Sequence, residues 1–192
     1  LTEVKERAAE TPLGTGTLTE NRMTAERLWL PSGSYRIDHR TGSILDAHDR
    51  AAEIDQALER AIEAGVLCSN ATLQAGDANG TGDPMELALL RLGVLAGIHR
   101  EALLAVWPEL HELAFDAETK MMATAHRRDG NLFVAIKGAP EAVLSFALGV
   151  EANGRCGLSA EERKAWLAHA GTLAEDGMRV LALAEKTVPV TA

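Results

Sequence analysis

The chain has 192 residues, 46% of them hydrophobic and 24% charged, with a formal net charge of -9. That length supports one well-buried core, and that balance belongs to a packed domain and not to a disordered chain. The negative charge repels polyanions, which argues against a nucleic-acid binder and requires any phosphate ligand to be held by a local basic cluster.

Residues 1–12 are polar and charge-rich, and Val4, Ala8 and Ala9 are too sparse to form an apolar face, so a linker or loosely docked helix is expected. Alternation over 23–30, the turn PSGS at 31–34 and Tyr35-Arg36-Ile37 predict two strands and a turn. Asp46 and Asp49 precede apolar residues at helical spacing, which predicts a helix over about 49–67. A Gly/Asp/Asn-rich loop follows at 74–82. Asp83-Pro84-Met85-Glu86 then opens a helix, with Asp83 as cap, proline at the first position and Glu86 completing a capping box. Strands are expected at 110–115, 120–126 and 132–137, the last two joined by a 127–131 turn longer than the two-residue hairpin ideal. A short helix over 138–148, a second capping box at Ser159–Glu162 with a helix ending at Gly177, and a strand over 178–188 complete the pattern. The order implies an α+β fold, an antiparallel sheet carrying helices.

Several chemistries are poorly supported. Residues 77–82, DANGTG, imitate the start of a calcium loop, but its twelfth position is Ala88 where a bidentate glutamate is needed. The six histidines form no HExxH, no GxSxG occurs, and GTGT fits neither GxGxxG nor the P-loop. Cys68 and Cys156 offer neither a disulfide framework nor a four-ligand zinc site and read as reduced cytosolic thiols. No run reaches the roughly 18 apolar residues of a membrane span, and no basic-then-apolar leader is present.

Five strings in order carry a resemblance: GTGTLTENRM at 14–23, GDPMELALL at 82–90, FDAETKMM at 115–122, KGAPEAV at 137–143 and DGMRVLALA at 176–184. Together they resemble the nucleotide-binding (N) domain of P-type cation-transporting ATPases. The first string looks like the tail of the family's DKTGTLT signature, with Leu13 in the place of the phosphorylated aspartate and Gly14 in that of the lysine. No GDGxND magnesium string occurs. The resemblance therefore implies a nucleotide-binding domain over 14–192, cut out of a larger pump, with 1–13 a linker or altered domain edge. Its fold would be a twisted antiparallel sheet with helices packed on its faces.

By the same resemblance, Phe115 matches the aromatic that stacks on adenine, where position alone would equally suit a core side chain. Lys120, Lys137 in the adenosine pocket and Arg179 toward the phosphates would supply the local positive charge, though each alone reads as a solvated cation. Asp83 would serve as helix cap and adenine contact together, and Gly138 would allow close approach to the ligand. Glu86 and Glu141 are assigned to helix initiation. The implied function is to hold ATP or ADP by the adenosine end for phosphoryl transfer to an aspartate on another domain. The piece itself would be non-catalytic, monomeric, soluble and on the cytoplasmic side. Its partners would be the phosphorylation, actuator and transmembrane domains of the parent pump, where the Mg2+ ligands would also lie. A nucleotide-independent interaction domain that keeps the fold is the alternative. A phosphatase reading rests on GTGTLT alone and lacks its aspartate.

Overall fold

In the computed structural model the described residues are 2–8, 19–74, 80–150, 157–175 and 177–190, and they form eight strands and five helices. In chain order the strands are β1 (Thr2–Ala8), β2 (Thr19–Leu30), β3 (Gly33–Asp38), β4 (Ser43–Leu45), β5 (Glu109–Asp116), β6 (Met121–Arg128), β7 (Asn131–Gly138) and β8 (Arg179–Pro189). Between them lie α1 (Gln56–Leu67), α2 (Pro84–Leu95), α3 (Arg100–Val106), α4 (Pro140–Phe146) and α5 (Ala160–Glu175). Every pairing is antiparallel, in the order β4-β3-β2-β1-β8-β7-β6-β5, so the expected α+β architecture holds. Strand β8 joins the two halves. Its residues 179–181 pair with β1, and residues 182–189 pair with β7.

The core is laid down by strand alternation meeting helix periodicity. Leu28 of β2 and Ile37 of β3 bury with Leu58, Ile62 and Val66 of α1 and with Leu87 and Leu90 of α2. The next turn of α1 reaches the other half, where Ala64, Leu67 and Cys68 pack on Met122, Phe133 and Ala135 of β6 and β7. Helix α1 thus serves both halves, which is why its last residues are buried on all sides. Each fully buried side chain of this kind contributes roughly 1.5–3 kcal/mol by removal from water. Trp29, next to Leu28 and so on the other face of β2, meets α5 by stacking on His169 and lying edge-on to Trp166. Helices therefore cover both sides of the sheet.

Three local expectations change. Residues 2–8 form strand β1 and not a linker or docked helix; β2 and β8 flank it and supply a backbone ladder that sparse apolar residues do not announce. Helix α1 starts at Gln56, capped by the Asp55 carboxylate accepting from Leu58 N–H at 2.8 Å. Asp46 is engaged earlier in a turn, accepting from His48 and Arg50 N–H and from the Arg50 guanidinium, and Asp49 adopts φ 58°. Such side-chain turns compete with a helix. The β6–β7 hairpin has the two-residue ideal after all, since Arg128 pairs with Asn131 and both Asp129 (φ 50°) and Gly130 (φ 77°) are left-handed. Helix α3 and strand β4 were not expected. The Ser159–Glu162 capping box forms as read, and Gly177 takes φ 75° after α5. Residues 14–18, residues 77–79 and Cys156 lie outside the described residues.

Candidate functional site

Along β7, Phe133, Ala135 and Lys137 alternate onto the face covered by α1, so the period-2 pattern drives a lysine inward at the strand's end. Lys137 is only 6% exposed. Its Nζ donates to Glu86 Oε1 at 2.5 Å. Glu86 Oε2 in turn accepts from Asn70 and Ala71 N–H, both at 2.8 Å, and from the Ser69 hydroxyl at 3.4 Å. The segment after α1 thus fixes the carboxylate, and the carboxylate fixes the ammonium. Two charges taken out of water cost several kcal/mol each unless paired and hydrogen-bonded, and here both conditions are met. Beside them, burial pushes the Cys68 thiol up to about 11 against the opposing charge of Lys137, so it is no nucleophile at neutral pH.

Glu86 is therefore not the capping-box partner expected of it. Asp83 caps α2 alone, its Oδ1 accepting from Met85 N–H at 2.8 Å and Glu86 N–H at 3.3 Å. A signal was available in the sequence. Glu86 shares a helical face with Leu89 and Leu90, both buried, so its carboxylate faces the interior and not the helix end.

On the far side of β6, Asp116 Oδ1 accepts from Glu118 N–H at 3.1 Å and Thr119 N–H at 2.7 Å, and the Thr119 bond chiefly holds that carboxyl below its ordinary range. The turn delivers Lys120 at φ 55°, its N–H donating to the Asp116 carbonyl and its carbonyl accepting from Ala139 N–H at 3.0 Å. A Cβ on Gly138 would lie 2.5 Å from the Lys120 carbonyl oxygen and 2.8 Å from Met121 Cγ. A side chain at this position would meet the chain's own backbone, which is by itself a reason for glycine here. The Lys120 Nζ donates to Glu141 Oε1 at 3.0 Å, and both side chains are 56% exposed. That bond holds the Glu141 carboxyl below its usual value.

Phe115 sits where the β5–β6 register slips between Leu113 and Asp116, and it is 62% exposed. Bulges of this kind re-aim a side chain, and this one is not in the core. Arg179 is exposed at the start of β8, in register with Val4. Phe115, Lys120, Lys137 and Gly138 thus gather at one end of β5, β6 and β7. Arg179 starts β8 three residues before Ala182, the register partner of Gly138, and Asp83 stands one turn before Glu86 on α2. Sequence reasoning missed the pairing roles of Glu86 and Glu141.

Two clefts lie elsewhere, about 310 Å³ between β2, β3 and α5 and about 390 Å³ between β2, β3 and α2, and neither includes any of these six residues. Concavity and chemistry disagree here. In the smaller cleft Arg36 is already bonded to Asp49 at 2.6 Å, whereas the sheet end presents an exposed aromatic on β5 and, in the turn that follows, a cation in a weak, open pair. The chemistry is the better guide, since an exposed ring stacks on a flat base without an enclosing cavity.

The family model described as "P-type ATPase, cytoplasmic domain N" matches residues 57–191. The chain is 33% identical over 180 residues to a probable cation-transporting ATPase F of Mycobacterium tuberculosis, covering 88% of this chain and 19% of that protein. It is 26% identical over 186 residues to a calcium-transporting ATPase of Bacillus subtilis (91% and 21%). A cation-transporting ATPase of Synechocystis is 29% identical over 186 residues (91% and 20%). The chain spans about a fifth of the length of these curated relatives.

Proposed function

Because the chain belongs to the family of P-type ATPase cytoplasmic N domains, we propose that it binds ATP at the β5–β7 sheet end. It holds the adenosine end of the nucleotide while the phosphates project toward another domain of a cation-transporting pump. The observation that carries this reading is the gathering at one sheet end of an exposed Phe115 on β5, Lys120 in the β5–β6 turn and the buried Lys137–Glu86 pair at the end of β7. Adenine stacks on Phe115, a contact worth roughly 1–3 kcal/mol for a base on an aromatic. Lys137, its charge balanced by Glu86, forms the polar floor and offers its remaining hydrogens to the nucleoside. Lys120 and Arg179 supply the local positive charge that a domain of net charge -9 needs for polyphosphate.

The chain's part is positioning, and the phosphoryl acceptor lies on another domain. Among the described residues no group of three or more His, Cys, Asp or Glu side chains comes together to hold a metal ion. Which cation the pump moves belongs to segments outside this domain. Titration with ATP or ADP, followed by NMR, is expected to move the resonances of Lys137, Lys120 and the Phe115 ring. No perturbation at millimolar nucleotide would overturn the reading in favour of a nucleotide-independent interaction domain.

A further inference from the structure

We propose that Glu141 is a positioning residue that gates Lys120 against nucleotide phosphate. Its carboxylate occupies the Lys120 ammonium, and an incoming polyphosphate must take that ammonium away. This rests on the nucleotide reading of the sheet end and deepens it.

Three observations lead there. The first is that both partners are anchored by backbone. Lys120 is held on one side by the Asp116 carbonyl and on the other by Ala139 N–H, while Glu141 follows Pro140 in the first turn of α4. The Ala139 bond ties the two segments together, so the meeting of their side chains at 3.0 Å follows from the fold. The second is exposure. At 56% for each side chain the pair is solvated and screened by salt, and such a pair is worth no more than about fivefold in an equilibrium. That is weak enough to exchange for a phosphate oxygen, unlike the buried pair one strand away. The third is charge. Glu141 left beside a bound polyphosphate is a like charge near the anion, so release of Lys120 and repulsion both oppose phosphate binding. Neither bears on an uncharged nucleoside.

The consequence is selective for charge. Glu141 lowers affinity for ATP and leaves adenosine alone, which keeps the site from retaining nucleotide and tunes release. Titrating wild type, Glu141→Gln, Lys120→Ala and the double variant with ATP and with adenosine, by calorimetry at low salt, tests this. Glu141→Gln is expected to tighten ATP about two- to fivefold, to leave adenosine unchanged, and to keep only the smaller, repulsive part of that gain when Lys120 is also alanine. Unchanged or weaker ATP binding by Glu141→Gln, or a gain that survives undiminished without Lys120, overturns the gate while nucleotide binding by the wild type stands. Absence of ATP binding by the wild type overturns the gate and the nucleotide reading together.

Discussion

Two lysine–glutamate pairs stand at the same end of the sheet, Lys137–Glu86 at 2.5 Å and Lys120–Glu141 at 3.0 Å. Their chemical groups are identical and their surroundings are not. The first pair has side chains 7% and 11% exposed, and its carboxylate is further bonded to two backbone N–H groups and a hydroxyl. The second has both side chains 56% exposed, and besides Lys120 its carboxylate is met by the N–H of Glu141 itself. Desolvation decides what each pair is for. A buried pair cannot lose a partner without leaving a bare charge in the interior, so it is fixed architecture. An exposed pair gives up a partner to water or ligand at little cost, so it is available for exchange.

The comparison breaks most directly at Glu86. Glu86→Ala is expected to lower unfolding free energy by about 3–5 kcal/mol, the usual cost of stranding a buried charge, measured by urea denaturation. Replacing both members with apolar residues of similar volume should recover much of that loss. If Glu86→Ala unfolds at the wild-type midpoint, the pair is not buried in solution.

Next in size is Phe115→Ala, expected to weaken ATP by roughly 1–3 kcal/mol while moving stability by less than about 0.5 kcal/mol. The ring's 62% exposure underlies that split. A large stability loss with unchanged affinity would place Phe115 in packing and out of the site.

The buried face also carries His126, whose ring nitrogens meet the Thr124 hydroxyl at 2.9 Å and the Trp107 carbonyl at 3.4 Å. Burial is the main cause lowering its pKa below the ordinary 6.5. The sign follows from proton counting. As pH falls below 6.5 the unfolded chain binds a proton that the folded chain still refuses, so stability falls until the lower folded value is passed. Denaturation midpoints between pH 7 and pH 5 are expected to decline in the wild type and to flatten in His126→Gln. An unchanged slope would assign the dependence to another group.

The smallest effect belongs to the exposed pair, where Lys120→Ala should change stability by less than about 1 kcal/mol. A larger loss in thermal denaturation would make Lys120–Glu141 architecture as well, and the contrast would close.

The parts of this molecule legible from sequence are those fixed by short-range chemistry. Asp83 and Pro84 at the head of α2, Ser159 and Glu162 at the head of α5 and the alternation of β7 each act within a few residues, and the fold keeps all of them. The strings carrying Phe115, Lys120 and Lys137 were equally visible as a pattern. Strand β1 was not, because its ladder lies with β2 and β8, and β8 is more than 170 residues away in the chain. Glu86 was misassigned for the same reason, since it had a local capping role to offer and a distant lysine claimed it, while Glu141 keeps its place in the first turn of α4 and takes a lysine as well. Sequence by itself determined the type of most elements, the caps at Asp83 and Ser159 and the family pattern, all set by neighbours along the chain. Only the tertiary structure decided which lysine would be dehydrated and which left in water, because burial is fixed by what packs across the sheet and not by what precedes or follows a residue.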